Sequence, residues 1–370
     1  MKKIDRFQRG MGIGGWLTNY KRFHVLREDR RMKITVGDME HFESYITEDD
    51  VAYIASLGMD HIRLGFDQVV LEESPFVYRQ SILSLLHRFT EWCQKYGVRP
   101  VLNLHKAIGN YCDIPDERGL MQNEELQSRF VALWSMLEDE FSGQEDVAFE
   151  LLNEVINATA EEWNAVASKT IDAIRAKNVG RVIVVGGVDW NNPSALPHVR
   201  LYDDENIIYT FHCYAPHEFT HQQGVLNANQ IYYNRKMPYP CDDIERYREF
   251  YRLVKGIEKY GEYERMDKAF LRDYLQPAKQ FIEEHPDKVL WCGEFGTIRH
   301  AKLAWRENWM RDMISILKEW DIPYCVWNYL STPNDGNRFS LVDDDSRRIL
   351  SEELHRIILG EVDPTACNKA

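Results

Sequence analysis

Short apolar runs alternate with longer segments of helical periodicity along most of the chain. The runs are rich in Val, Ile, Leu, Tyr and Phe, as expected of parallel strands that are buried on both faces. The longer segments repeat apolar residues at spacings of three and four, which is typical of helices that cover such strands. Eight strands are predicted, at Met11–Gly15, His61–Phe66, Val98–His105, Val147–Asn153, Arg181–Gly187, Ile207–His212, Val289–Glu294 and Pro323–Tyr329. Helices are predicted between them at Asp50–Leu57, Tyr78–Tyr96, Asn123–Phe141, Ala160–Lys177 and Asn308–Trp320.

This alternation predicts an α/β fold, namely a (β/α)8 barrel, with a doubly wound sheet as the structural alternative. The chain has 370 residues, whereas a barrel of this kind usually needs about 250. Much of the excess lies between the sixth and seventh strands, where about 75 residues connect two strands that one helix could join. We expect one domain over residues 1–370 with a small inserted subdomain at about 217–287, above the face where the strands end.

Composition and charge exclude several classes of protein. The 44% hydrophobic content excludes a disordered chain, and no apolar run approaches the length of a membrane span. The formal net charge of −14 argues against nucleic acid as a partner, because phosphate binding needs a clustered basic face. The seven cysteines are odd in number and show no CxxC spacing, which favours reduced thiols. With no export signal visible at the N-terminus, we expect a cytoplasmic location and no obligate protein partner.

Polar side chains terminate six of the predicted strands. In a barrel, the carboxyl ends of the strands converge on one face, which is where such enzymes hold their active sites. Strands must end somewhere, and they usually end in polar residues, but six such ends on one face indicate a site. The residues are Arg63, His105, Asn153, Glu154, His212, Tyr214, Glu294 and Trp327.

Two carboxylates among these residues point to a specific chemistry. Glu154 and Glu294 each follow a long apolar run, so both are expected to be partly desolvated. Either one alone is more often a structural carboxylate that caps a helix. Two acids on non-adjacent strands of one barrel suit the cleavage of a glycosidic bond, where one protonates the departing oxygen and the other attacks the sugar. We expect carboxyl groups about 5–5.5 Å apart, the separation of a retaining mechanism.

These residues resemble family 5 of the glycoside hydrolases, within clan A. The resemblance extends over essentially the whole chain and is nearest to the compact clostridial and rumen-type endo-β-1,4-glucanases of that family. The motifs that carry it are Ile62-Arg63-Leu64, Leu102-Asn103-Leu104-His105, Asn153-Glu154, Phe211-His212-Cys213-Tyr214, Gly293-Glu294-Phe295-Gly296 and Val326-Trp327-Asn328-Tyr329.

The resemblance implies a role for each matching residue. Glu154 would be the general acid/base and Glu294 the nucleophile. Arg63 and Tyr214 would hydrogen-bond Glu294, and Asn153 would bind the 2-hydroxyl of the reacting sugar. His105 and His212 would line the same subsite, and Trp327 would form its apolar floor. The reaction would require no metal and no organic cofactor.

The chain departs from the family pattern at the rim of this site. The family usually has Asn where Gly12 stands, Asp where Asn103 stands, and often a second His where Lys106 follows His105. No catalytic group is lost, but subsite details change. Further sugars are predicted to contact Trp190, Trp16 and Asn191 on loops of the same face, although each of these residues is equally compatible with a packing role.

The function predicted from the sequence is a retaining endo-β-1,4-glucanase that acts on cellulose-type or mixed-linkage glucans. A β-mannanase or a β-1,3-glucanase built on the same machinery is the nearest alternative. A non-catalytic glycan-binding barrel is a further alternative, which the intact pair of acids disfavours.

Two short motifs suggest other classes of protein. Gly10-Met11-Gly12-Ile13-Gly14-Gly15 fits the phosphate-binding G-x-G-x-x-G pattern but is itself the first apolar strand, which argues against a dinucleotide site. His217-Glu218-Phe219-Thr220-His221 fits the H-E-x-x-H pattern of zinc peptidases, but Gln222-Gln223-Gly224 interrupts it at once and no third ligand follows. A metallopeptidase is therefore the least favoured alternative.

Overall fold

A computed structural model describes residues 4–20, 34–112, 118–224, 236–332 and 335–362 of the chain. Eight parallel strands close into a barrel in the order β1-β8-β7-β6-β5-β4-β3-β2. Their bounds are β1 Arg9–Leu17, β2 His61–Asp67, β3 Arg99–Lys106, β4 Ala148–Glu150, β5 Ile183–Gly186, β6 Ile207–Cys213, β7 Val289–Phe295 and β8 Tyr324–Val326. The barrel and its eight strands are as predicted, and the doubly wound alternative is wrong. A two-stranded hairpin, Glu72–Ser74 with Val77–Tyr78, lies outside the barrel.

Helices follow the strands as the apolar periodicity predicts. They are α1 Val36–Ser44, α2 Glu48–Ser56, α3 Gln68–Leu71, α4 Gln80–Lys95, α5 Gly119–Gln122, α6 Glu124–Glu140, α7 Ala160–Arg175, α8 His217–Thr220, α9 Glu245–Lys255, α10 Lys268–Tyr274, α11 Gln276–Glu284, α12 Leu303–Glu319 and α13 Glu352–Ile358, with a 3-10 turn at Pro193–His198. None of the helices in the described ranges is long and apolar enough to cross a bilayer.

Capping residues explain where several helices begin. Thr47 and Thr159 each form a capping box with the acidic residue three positions later, and Asn123 accepts bonds from the first turn of α6. These side chains satisfy backbone N–H groups that have no partner within the helix. The caps place α2 and α6 close to their predicted starts.

The interior of the barrel changes character from bottom to top. A cluster separate from the main core fills its lower part, and its buried members are Phe7, Val101, Ala148, Val182, Val184, Ile208, Val289, Trp291 and Cys325. Successive side chains of a strand alternate between faces, so the residue two positions further along points the same way. That next residue is Asn103 after Val101, Glu150 after Ala148 and Thr210 after Ile208. The layer above the apolar floor is therefore polar, and it supports the site.

The segment between β6 and β7 contains four of the helices, α8 to α11. Residues 225–235 of the predicted 217–287 insertion lie outside the described residues. Its buried side chains Met237, Tyr239, Tyr247 and Phe270 belong to the same apolar cluster as the barrel and its helices. The extra length thus packs on the main core, and its division into a subdomain stays a prediction.

Candidate active site

Arg63 is at the centre of the polar layer at the carboxyl ends of the strands. It is fully buried on β2 and donates four hydrogen bonds to three partners. Its Nε and Nη2 bind the two oxygens of Glu150 at 2.6 and 2.9 Å. Its Nη1 binds Glu294 Oε2 at 2.5 Å, and its Nη2 also binds Asn153 Oδ1 at 2.5 Å. One planar guanidinium group therefore fixes three side chains, two at the end of β4 and one at the end of β7.

Glu294 lies at the end of β7 and is only 5% exposed. Its Oε1 accepts a hydrogen bond from the Tyr214 hydroxyl at 2.7 Å, while its Oε2 accepts the bond from Arg63. Burial, followed by the adjacent Glu294 carboxylate, raises the pKa of Tyr214 well above its usual value. Tyr214 thus stays protonated and donates, so the two oxygens of Glu294 accept hydrogen bonds from two donors that fix its orientation.

Glu154 faces Glu294 across the site. Its side chain is about 15% exposed, and its Oε1 lies 3.0 Å from His212 Nδ1. Glu154, His212 and Glu294 each offer a ligand-type atom, and these three atoms all lie within 4.8 Å of one another. The two carboxylates therefore approach each other as closely as a nucleophile and an acid/base do in retaining glycosidases, where about 5–5.5 Å separates them. The 6.5–9.5 Å typical of inverting enzymes leaves room for an intervening water molecule.

His212 has one tautomer that satisfies both of its neighbours. Asn191 Nδ2, which can only donate, lies 3.4 Å from His212 Nε2, and the same Nδ2 donates to the backbone oxygen of Asn153. A neutral His212 with its proton on Nδ1 accepts from Asn191 and donates to Glu154. Because Glu154 Oε1 then accepts this bond, the proton of the acid form resides on Oε2.

The loop after β5 carries two of the predicted sugar contacts, Trp190 and Asn191. Asp189, Trp190 and Asn191 all have φ between 53 and 57°, a left-handed conformation that non-glycine residues rarely adopt. Backbone bonds hold it, since Asn191 O accepts from His212 N at 2.8 Å and Trp190 N donates to Val155 O at 3.2 Å. The loop places the buried Asn191 behind Asn153 and His212, whereas Trp190 remains 49% exposed beside the residues that follow Glu154.

Trp327 and His105 form the opposite wall of the site. Their rings stack with centroids 5.4 Å apart and planes 5° from parallel. Burial lowers the pKa of His105 well below its usual value, and the positive charge of Arg63 acts in the same direction. An added Cβ at Gly12 or Gly14 would lie 2.6 or 2.7 Å from atoms of the Trp327 ring. These two glycines of β1 therefore let the ring lie against the strand, which explains why Gly12 suits this chain where the family usually has Asn.

An open pocket extends the site beyond Trp327, toward β1, β2 and β3. Its empty space, including the part open to solvent, is about 440 Å³. Its lining residues are Gly14, Gly15, Thr18, Asn19, Asp67, His105, Lys106, Trp327, Asn328, Ser331, Thr332 and Asp335. Lys106 thus lines this pocket, at the rim where the chain departs from the family pattern.

Trp16 does not contact sugars, contrary to the sequence-based expectation. It is 0% exposed, and its Nε1 donates to Phe42 O at 2.6 Å. Its ring packs against Phe89 and Trp92 on α4. Trp16 is therefore a core residue between the barrel and its helices.

Glu150 is the site residue that the sequence analysis missed. It is completely buried at the end of β4 and holds Arg63 through two hydrogen bonds. The available signal was a single charged residue within the apolar run Val147–Leu152. Its position two residues beyond Ala148 places it on the inward face of the strand.

The H-E-x-x-H motif does not form a metal site. His217 and His221 stack face to face with ring centroids 3.9 Å apart. Glu218 is buried and accepts a hydrogen bond from the Tyr260 hydroxyl at 3.1 Å, and burial raises the pKa of its carboxyl group. In the described part of the chain, the group of three or more close metal-type ligands is the Glu154, His212 and Glu294 set. The Gly10–Gly15 run lies within β1, so the dinucleotide interpretation is also wrong.

Protein stability should depend on pH through His212. Burial lowers the pKa of His212 from 6.5 to about 4, so between these values the unfolded chain binds a proton that the native state does not. Stability is then lost as the pH falls from about 6.5 toward 4. We expect this residue alone to lower the free energy of unfolding by about 2 kcal/mol between pH 7 and pH 5. Urea denaturation of the wild type and H212Q at both pH values measures the difference, and equal pH dependence in the two proteins would contradict the prediction.

Comparisons with known proteins agree with this geometry. A closed barrel with two facing carboxylates at the carboxyl ends of its strands is the arrangement expected of a glycoside hydrolase. The model of the cellulase family, glycosyl hydrolase family 5, matches residues 28–332. Endoglucanase C of Acetivibrio thermocellus is 36% identical over 360 residues, which cover 95% of this chain and 98% of that protein. The chain therefore belongs to the cellulase family, as the sequence motifs indicated.

Other relatives and solved structures extend the comparison. Cellodextrinase A of Ruminococcus flavefaciens is 27% identical over 305 residues, covering 80% of this chain and 78% of that protein. The structure of Cel5A from Thermotoga maritima in complex with cellobiose superposes with a TM-score of 0.71 at 21% identity, covering 95% of this chain and 97% of that one. That likeness independently supports the barrel fold.

Proposed function

We propose that this protein is an endoglucanase that hydrolyses β-1,4 linkages in cellulose-type or mixed-linkage β-glucans with retention of anomeric configuration. The observation that carries the proposal is the approach of carboxylate oxygens of Glu154 and Glu294 within 4.8 Å, with Glu154 bonded to His212 and Glu294 bonded to Arg63 and Tyr214. The 36% identity to endoglucanase C over nearly the full length of both chains supports the glucan as substrate.

The first chemical step is the formation of a glycosyl-enzyme. Glu294 attacks the anomeric carbon while Glu154 transfers the proton on its Oε2 to the departing glycosidic oxygen. The hydrogen bonds from Arg63 and Tyr214 hold the Glu294 carboxylate in the orientation for this attack. The charge that develops on the sugar ring is stabilised by groups that are already oriented, so little reorganisation accompanies the step.

The second step reverses the roles of the two acids. Deprotonated Glu154 takes a proton from water, the water oxygen attacks the anomeric carbon, and Glu294 leaves as a carboxylate. His212 hydrogen-bonds Glu154 Oε1 in both protonation states of the acid, because an imidazole held neutral by burial keeps its Nδ1 proton. Glu154 can then exchange its proton without moving.

The remaining residues bind the sugar chain. Asn153 Oδ1 is engaged by Arg63, which leaves its amide nitrogen to donate to the 2-hydroxyl of the reacting sugar. Trp327 offers an apolar surface for the C–H face of the same sugar. Trp190 lies on the side of Glu154, so we assign it to the departing part of the chain, where its exposed ring can stack on a sugar.

A substrate panel and product stereochemistry test this proposal. We expect kcat/KM on carboxymethyl cellulose, mixed-linkage glucan and cello-oligosaccharides to exceed that on mannan, xylan and β-1,3-glucan by about tenfold or more, equivalent to about 1.4 kcal/mol. Proton NMR of the first products should show the β-anomer before mutarotation. A preference for mannan or β-1,3-glucan would change the substrate but keep the mechanism, whereas initial release of the α-anomer would overturn the retaining assignment.

A further inference from the structure

Glu150 and Glu294 share one arginine. Arg63 presents Nε and Nη2 to Glu150 and Nη1 to Glu294, and all three groups are buried. Two carboxylates face a single guanidinium, so the group as a whole carries one negative charge when all three are ionised. The cation that stabilises Glu294 is therefore already partly neutralised by a second acid that the mechanism does not use.

The geometry of this contact also fixes the position of Arg63. Two parallel hydrogen bonds to one carboxylate hold a guanidinium in a defined plane, which a single bond does not. With that edge occupied by Glu150, Nη1 faces Glu294 and Nη2 also reaches Asn153. Glu150 thereby determines which nitrogen of Arg63 donates to Glu294 and which donates to Asn153.

We propose that Glu150 is a positioning residue for the hydrolytic reaction: it orients Arg63 and limits the charge that Arg63 exerts on the nucleophile. This inference rests on the proposed function and assigns Glu150 a part in it. A nucleophile paired with an undivided cation is more easily ionised but attacks less readily. Glu150 thus keeps Glu294 reactive in the first step, but the enzyme then loses activity at a higher pH on the acidic side of its profile.

Several charged and titratable groups face the two carboxylates Glu150 and Glu294. They are Arg63 on β2, His105 on β3, Glu154 after β4, His212 and Tyr214 on or after β6, and Cys325 on β8. Substitution of Glu150 by glutamine leaves all of them in place. It removes one negative charge and leaves the positive charge of Arg63 directed at Glu294.

The experiment compares Glu150→Gln with the wild type on an aryl β-cellobioside that the wild type hydrolyses. The loss of the negative charge of Glu150 and the undivided positive charge of Arg63 both favour ionisation of Glu294. We therefore expect the acidic limb of the kcat/KM profile to move to lower pH by about one unit. At the optimum we expect kcat/KM to fall by about 10- to 100-fold, because the guanidinium is less well held and the nucleophile is weaker. The deficit should lie in formation of the glycosyl-enzyme, measured by the rate of the pre-steady-state burst, and much less in its hydrolysis.

The chain offers a matched control in Glu138. Its carboxylate binds Arg181 Nε and Nη2 at 2.7 and 3.0 Å, and both residues are buried. The other partners of Arg181 include the backbone oxygens of Gln144 and Val147, in the loop before β4 and remote from the catalytic end. Glu138→Gln removes an equivalent buried contact, so we expect lower stability with an unchanged pH profile.

Further outcomes keep the proposal open to refutation. If Glu150→Gln matches Glu138→Gln, with lower stability but the wild-type pH profile and burst rate, Glu150 is merely structural and the proposal is wrong. If Glu150→Gln does not fold, Glu150→Asp keeps the charge while shortening the side chain. We then expect a lower kcat/KM with an unmoved acidic limb, and unchanged kinetics would again refute the proposal. A wild type without activity on any β-glucoside would instead refute the proposed function.

Discussion

Replacing Glu294 by alanine is expected to lower kcat/KM on cello-oligosaccharides by about 10⁴-fold or more. The variant has no carboxylate to form the glycosyl-enzyme, so the two-step route is closed. Azide, a small anion that fits the vacated space, should attack the anomeric carbon directly and yield the α-glycosyl azide, with inverted configuration. Product stereochemistry measured by NMR on an aryl cellobioside with a good leaving group tests the expectation.

The fold has to survive this substitution for the kinetic result to be informative. Glu294→Ala leaves Arg63 paired with Glu150 alone, so the buried cation retains a partner. Glu138→Ala serves as a control, because it removes a buried carboxylate from an arginine outside the site. Loss of activity in both variants would trace the effect to folding, and a β-glycosyl azide from Glu294→Ala would show that Glu294 is not the nucleophile.

The barrel could be predicted from sequence because its strands are buried on both faces. Continuous apolar runs located β2 and β6 to within one residue, His61–Asp67 and Ile207–Cys213. Strand ends were harder to predict: the run Val147–Asn153 is regular strand only over Ala148–Glu150. Its backbone still bonds to the neighbouring strands beyond that point, since Leu151 N donates to Val184 O and Asn153 N donates to Leu104 O. The change of partner ends the regular ladder while Asn153 and Glu154 continue toward the site.

The misassignment of Trp16 has a local cause. Gly12 and Gly14 face the Trp327 ring, and alternation along β1 would place Trp16 on that side as well. Gly15 instead has φ of +72°, and the pairing of β1 with β2 shifts register between Ile13 and Leu17. This irregularity directs the indole toward the helices. A sequence shows the glycine, but the register shift depends on the neighbouring strand.

The proximity of Glu154 and Glu294 was predictable because both acids follow apolar runs on strands that converge. The supporting network was only partly predictable, because it depends on which side chains meet across the barrel. Arg63 and Glu150 are 87 positions apart in sequence, and their contact follows from the register that places β2, β3 and β4 side by side. Spacing along the chain cannot reveal such a contact, whereas alternation from Ala148 could have marked Glu150 as inward-facing.

Substitution of Glu154 by alanine should separate the two steps of the reaction. Natural β-1,4 linkages need protonation of the departing oxygen, so we expect kcat on cello-oligosaccharides to fall by about 10²- to 10⁴-fold. An aryl cellobioside with a good leaving group needs little protonation, so its glycosyl-enzyme should still form and then accumulate, because no base activates water. The observable signs are a pre-steady-state burst of the phenol and a low KM.

Azide should restore turnover of Glu154→Ala on the activated substrate, because this nucleophile needs no general base. It attacks the glycosyl-enzyme on the face opposite Glu294, so the product should be the β-glycosyl azide, with net retention. The pH profile of kcat/KM for the activated substrate should also lose its basic limb, since that limb in the wild type follows loss of the acid proton. Rescue that gives the α-glycosyl azide would exchange the roles of Glu154 and Glu294. An unchanged rate on cello-oligosaccharides would show that Glu154 takes no part in the reaction. Its hydrogen bond to His212 would then have no catalytic role.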